Sequence, residues 1–124
     1  MQSEPLTAIS SVDGRYREIS SALSEHMSEY ALIRARVRVE CEYLVALSET
    51  KGVGLRALTA EEKKLLGTLS DISVEDARIV KEIEKKGYEG IPATNHDVKA
   101  VEYFLKSRLA KQSLADISEW LHFG

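Results

Sequence analysis

Tyr30-Ala31-Leu32-Ile33-Arg34-Ala35-Arg36-Val37-Arg38-Val39-Glu40-Cys41-Glu42-Tyr43-Leu44-Val45-Ala46-Leu47 decides the architecture. Tyr30, Ile33, Val37, Cys41, Leu44 and Leu47 recur at intervals of three and four, which on a helix places them on one apolar stripe. The pattern predicts a long helix from about Glu25 to Glu49, broken by Gly52 and Gly54. Downstream, Thr59-Ala60-Glu61-Glu62 reads as a capping box ahead of a short helix carrying Leu65, Leu66 and Leu69. Ser73 through Asp76 is a weaker start of the same kind. Ala77, Val80 and Ile83 continue that helix, and Gly87 falls where its C-terminal cap belongs.

Gly87-Tyr88-Glu89-Gly90-Ile91-Pro92 reads as a connection, with Pro92 forcing Ile91 toward extended geometry. The next helix is expected from near Asn95 to about Lys111. Val98, Val101, Leu105 and Leu109 share one face, with Phe104 beside them. Ser113 is read as the cap of a last helix carrying Leu114, Ile117 and Leu121. No segment alternates with period two. The fold class is therefore all-α, a small bundle of roughly four to six helices. The expected organisation is one helical domain over 1–124: an irregular arm over 1–24, helices over 25–111, and a lead-out over 112–124.

Composition narrows the function. The 124 residues suffice for one modest core, and 44% hydrophobic with 30% charged residues marks a globular chain. A net charge of −3 argues against a general nucleic-acid binder. A single cysteine, Cys41, forbids an intramolecular disulfide. No apolar run approaches membrane-spanning length, and Met1-Gln2-Ser3-Glu4-Pro5 lacks a signal-peptide pattern, so a cytoplasmic location with no membrane partner is expected. Trp120-Leu121-His122-Phe123-Gly124 is unusually apolar for a terminus and reads as part of something longer.

Thr94-Asn95-His96-Asp97-Val98 packs an amide, an imidazole and a carboxylate where a helix should begin. Helix starts present unpaired N–H groups and favour anions. Thr94 or Asn95 as a cap, with Asp97 in the first turn, accounts for two of the three polar residues. His96 is left over, and a site wall for a charged substrate is the other reading. Metal binding is not expected, because Lys99 and Ala100 occupy the positions where a second ligand would sit. His96 and Asp97 are too close in sequence to orient one another as in a triad.

Arg15 and Tyr16 follow Gly14 in a segment with little apolar periodicity. A guanidinium grips phosphate or carboxylate with two parallel bonds, and a phenol adds a third. Arg34, Arg36 and Arg38 read as a charged outer face or subunit contact. Cys41 lies on the apolar stripe and reads as a core thiol. His26 and His122 have no partner identifiable from sequence.

Two of these features occur together in one family. Leu6-Thr7-Ala8-Ile9-Ser10-Ser11-Val12-Asp13-Gly14-Arg15-Tyr16 resembles the N-terminal arm of adenylosuccinate lyases. Thr94-Asn95-His96-Asp97-Val98-Lys99-Ala100-Val101-Glu102-Tyr103-Phe104-Leu105 resembles the first substrate-binding motif of that family. Ser118 through Gly124 is similar to the approach to its next motif. From Thr50 to Pro92 only the helical character matches, and Ser11 stands where many relatives carry Pro.

The resemblance implies the fumarase/aspartase superfamily of homotetrameric helical enzymes. It implies β-elimination of fumarate from adenylosuccinate, giving AMP, and from the succinyl-carboxamide intermediate of purine biosynthesis, with no cofactor and no metal. Arg15 and Tyr16 would bind the nucleotide phosphate, and Asn95, His96 and Asp97 would line the nucleotide-dicarboxylate pocket, with His96 assisting proton transfer. The family's general-acid His and base Ser have no counterpart in these residues, so the chain alone is expected to be inactive. The competing readings are a free-standing helical interaction module and a sister lyase with another fumarate-yielding substrate.

Overall fold

A computed structural model describes residues 4–124. Met1-Gln2-Ser3, part of the stretch read as lacking a signal peptide, lies outside the described residues. The chain divides into two compact units, one up to Leu32 and one from Ile33 to Gly124.

The first unit is a succession of tight turns. A 3₁₀ turn over Pro5–Thr7 is followed by α1 (Arg17–Ser20), a second 3₁₀ turn over Ser21–Leu23, and α2 (Ser24–Met27). The Asp13 carboxylate accepts from both the N–H (2.8 Å) and the hydroxyl (3.2 Å) of Ser10. The Ser10 N–H is the largest cause of a lowered Asp13 pKa. Gly14 is obligatory here: a Cβ on it would lie 2.5 Å from the Pro5 carbonyl oxygen. The stretch read as an irregular arm is thus ordered by short local bonds.

The long helix, α3 (Glu29–Glu49), starts four residues later than the apolar pattern suggested. Ser28 is the reason. Its backbone is extended (ψ 164°), which ends α2, and its Oγ accepts the Ala31 N–H at 3.1 Å. Such a cap occupies one position and leaves no mark on hydrophobic periodicity.

In the second unit the stripe of α3 is buried as expected, with Val37 and Leu44 fully enclosed. Gly52 and Gly54, both at positive φ, carry the chain away from α3. The capping box opens α4 (Ala60–Leu69): the Glu62 N–H donates to Thr59 Oγ1 and the Thr59 N–H to Glu62 Oε1. Ser73 and Asp76 make the same reciprocal pair at the start of α5 (Val74–Lys85). Ala77, Val80 and Ile83 are buried on α5; Val101, Phe104, Leu105 and Leu109 are buried on α6 (Asp97–Leu109), against which α5 packs. Arg108 also reaches back to Asp76 at 2.8 Å.

The last segment is a 3₁₀ helix over Ala115–Trp120, and its cap position is Leu114 rather than Ser113. Leu114, Ile117 and Leu121 are nonetheless buried as their spacing predicts. Among the described residues there is no strand; Tyr88 and Ile91 form a single bridge across a tight turn. No helix there is long and apolar enough to cross a membrane.

One polar hub ties this unit together. Arg56 donates to both oxygens of Glu62 (2.9 and 2.8 Å) and to both oxygens of Asp116 (2.8 and 3.0 Å). Glu62 is buried, and the Arg56 hydrogen bonds, followed by the Thr59 N–H, hold its carboxyl down at about 2 against an ordinary 4.5. A folded value below the unfolded one adds stability at neutral pH that is lost as pH falls from 4.5 toward about 2. Thermal melts should therefore find Glu62→Gln less stable than the parent at neutral pH. The gap should narrow as pH falls below 4.5 and close only toward about pH 2, where the parent carboxyl also becomes neutral in the folded protein. A gap independent of pH would contradict this role.

Candidate substrate-binding site

The site-bearing segment is fixed from the end of α5. Gly87 takes φ 88° and its N–H bonds the Glu82 carbonyl at 2.9 Å. A Cβ there would meet Ile91 O at 2.5 Å, so only glycine passes. Glu89 and Gly90, both at positive φ, then turn the chain back, and Tyr88 and Ile91 exchange backbone bonds at 2.8 Å. The returning strand of chain satisfies the last carbonyls of α5: Thr94 N–H donates to Ile83 O (3.1 Å) and Asn95 N–H to Glu84 O (2.8 Å).

Asn95 is left-handed, with φ 52°. That conformation is disfavoured for most side chains and tolerated by Asn. His96 returns to extended geometry (φ −150°, ψ 122°) and is itself the N-cap of α6. Its Nδ1 accepts the Lys99 N–H at 3.2 Å. Thr94 braces it: Thr94 Oγ1 accepts the His96 N–H (3.2 Å) and donates to the His96 carbonyl (2.8 Å). The expectation that Thr94 or Asn95 caps the helix is therefore corrected. Asn95 cannot cap, because its main-chain geometry is spent on the reversal, and the cap falls to the next residue.

This assignment has a chemical consequence. An Nδ1 that accepts a hydrogen bond carries no proton, so the neutral ring holds its proton on Nε2. The side chain of His96 is 63% exposed, which presents an oriented Nε2–H donor at the helix start. His96 and Asp97 stand 3.8 Å apart, too far for a hydrogen bond between them.

Asp97 occupies the first turn, where its charge suits the helix dipole. Oδ1 accepts the Val98 N–H (2.8 Å) and Oδ2 accepts from Arg36 (2.8 Å). The Arg36 bond foremost, then the Val98 N–H, lowers the Asp97 pKa and keeps it a carboxylate. Arg36, read from sequence as part of an outer charged face, is thus a partner of the site; no local pattern links residues so far apart. Arg38 pairs with Glu42 one turn on.

Arg15 and Tyr16 belong to the first unit. Both are exposed, with the Arg15 guanidinium 5.4 Å over the Tyr16 ring, and the Tyr16 N–H donates to Ser11 O at 2.8 Å. Cys41 is buried, and burial first, then the charges of Glu40 and Glu42, push its thiol up to about 12, so it is no nucleophile at neutral pH. His26 is exposed on α2. His122 does have a partner: its Nδ1 lies 2.7 Å from Glu40 Oε1. Among the described residues no group of three or more His, Cys, Asp and Glu side chains converges to hold a metal.

No protein-family model matches the chain. Curated proteins do. Adenylosuccinate lyase of Dictyostelium discoideum is 43% identical across the whole chain. Adenylosuccinate lyases of Escherichia coli K12 and Buchnera aphidicola are 41% and 36% identical, again across all of it. From end to end the chain is similar to adenylosuccinate lyases. It spans about a quarter of the length of these relatives, 26% of each. The likeness includes the middle of the chain, where short motifs alone had offered only helical character.

The cap geometry separates two roles of one side chain. On this geometry His96→Ala should lower stability by about 1 kcal/mol through loss of the cap, while His96→Asn, a strong cap, should stay within a few tenths of the parent. Urea unfolding of the three proteins measures the difference. Equal losses for Ala and Asn would refute the Nδ1 cap.

Proposed function

We propose that this chain is the N-terminal domain of an adenylosuccinate lyase. The full-length enzyme would release fumarate from adenylosuccinate and from the succinyl-carboxamide intermediate of purine biosynthesis, as a cytoplasmic homotetramer. The observation that carries the reading is the start of α6. There Asn95, His96 and Asp97 sit on a segment welded to α5, and His96 has one nitrogen spent on the cap and the other free to donate.

The chemistry suits that arrangement. β-Elimination removes a proton beside a carboxylate and passes through a carbanion-like state before the carbon–nitrogen bond breaks. Fixed donors must meet the charge that develops, and a proton must reach the departing nitrogen. The Nε2–H of His96 serves as such a donor, and the Asn95 amide adds another. Asp97, kept ionised by Arg36, holds the segment rather than exchanging protons. Arg15 and Tyr16 supply a guanidinium and a phenol for the substrate phosphate. The main acid and base of the family lie in segments with no counterpart here.

Fumarate release, followed by absorbance, tests this in two forms. The chain of residues 1–124 should give none. The full-length gene product should turn over adenylosuccinate, and His96→Asn in it should lower kcat/KM by about a hundredfold with the fold intact. Turnover by the 124-residue chain, or a His96→Asn enzyme of parental activity, would overturn the reading.

A further inference from the structure

Glu40 stands out among the side chains that the site does not use. It lies on α3 with its side chain only 13% exposed. Oε1 accepts from His122 Nδ1 at 2.7 Å. Oε2 is sealed from solvent and has no hydrogen-bond partner among the described residues. A buried carboxylate oxygen without a donor is costly, and native proteins rarely keep one.

The surroundings indicate where a donor would come from. Tyr43, one turn along α3 on the same face, donates its Oη to the Phe123 carbonyl at 2.7 Å. His122 is left-handed (φ 56°) and Gly124 takes φ 92°. A Cβ on Gly124 would lie 3.5 Å from Tyr43 Oη. Glu40 and Tyr43 hold His122 and Phe123 against one turn of α3, so chain continuing past Gly124 sets out beside the turn that carries the orphaned oxygen. The relatives are about four times as long as this chain, which supplies such a continuation.

We propose that Glu40 is a positioning residue: in the full-length protein Oε2 accepts a hydrogen bond from the segment directly after Gly124. With both oxygens engaged, Glu40 fixes the direction in which that segment leaves α3 and so places it for the active site. This use of the segment rests on the lyase reading; the hydrogen bond itself does not.

Glu40→Gln is the decisive variant, because an amide offers one acceptor where two are needed. In the full-length protein, amides just past Gly124 should exchange about tenfold faster than in the parent, and kcat/KM for adenylosuccinate should fall about tenfold. Tyr43→Phe, which leaves the carboxylate in place, should lower kcat/KM about threefold and speed the same amides. Exchange within twofold of the parent in Glu40→Gln overturns the proposal. If that variant does not fold, Glu40→Asp, which keeps the charge but shortens the reach of both oxygens, takes its place, and exchange within twofold of the parent there overturns the proposal instead. A parent protein with no lyase turnover refutes the functional reading alone, and the exchange comparison still decides the placement of Glu40.

Discussion

Two backbone hydrogen bonds govern the candidate site. Thr94 and Asn95 donate to the carbonyls of Ile83 and Glu84, the last groups of α5 that the helix itself leaves unpaired. Meeting them forces the returning chain into one path. That path puts Asn95 in the left-handed region and His96 in extended geometry immediately afterwards. The cap of α6 then has to be His96. The polar run at the helix start is therefore placed by the end of the preceding helix, and its side chains inherit their directions from that junction.

The junction is rigid because both helices are anchored elsewhere. α5 and α6 share a buried apolar seam, and Arg108 of α6 bonds Asp76 in the capping box of α5. Arg36 of α3 grips Asp97, so the long helix fixes the opposite side of the site segment. The Arg56 hub joins the connection after α3 to the start of α4 and to Asp116. A substrate donor gains from such support, since a small displacement of a reacting group is expensive in rate.

Local rules carried well where one signal acts alone. The α3 stripe, the Thr59–Glu62 box and the Ser73–Asp76 pair are short-range patterns, and each appears where its spacing puts it. The all-α class follows from the same periodicity. What escaped reading is competition between neighbours or distance along the chain. Ser28 interrupts a helix whose apolar pattern runs through it. Asn95 has the better cap chemistry but is claimed by the reversal, so the cap shifts to His96. Arg36–Asp97 and Glu40–His122 join residues that only the folded chain brings together. At the candidate site, resemblance to a family singled out the residues, whereas the tautomer of His96 needed the hydrogen bond at Nδ1.

That tautomer is the central claim, because it makes one imidazole both a structural cap and an oriented donor. Nitrogen-15 NMR of the His96 ring reads it directly. The account predicts that the neutral ring carries its proton on Nε2, with Nδ1 shifted as a hydrogen-bond acceptor. A neutral ring protonated at Nδ1 would contradict it, since neither the cap nor the free donor would then exist.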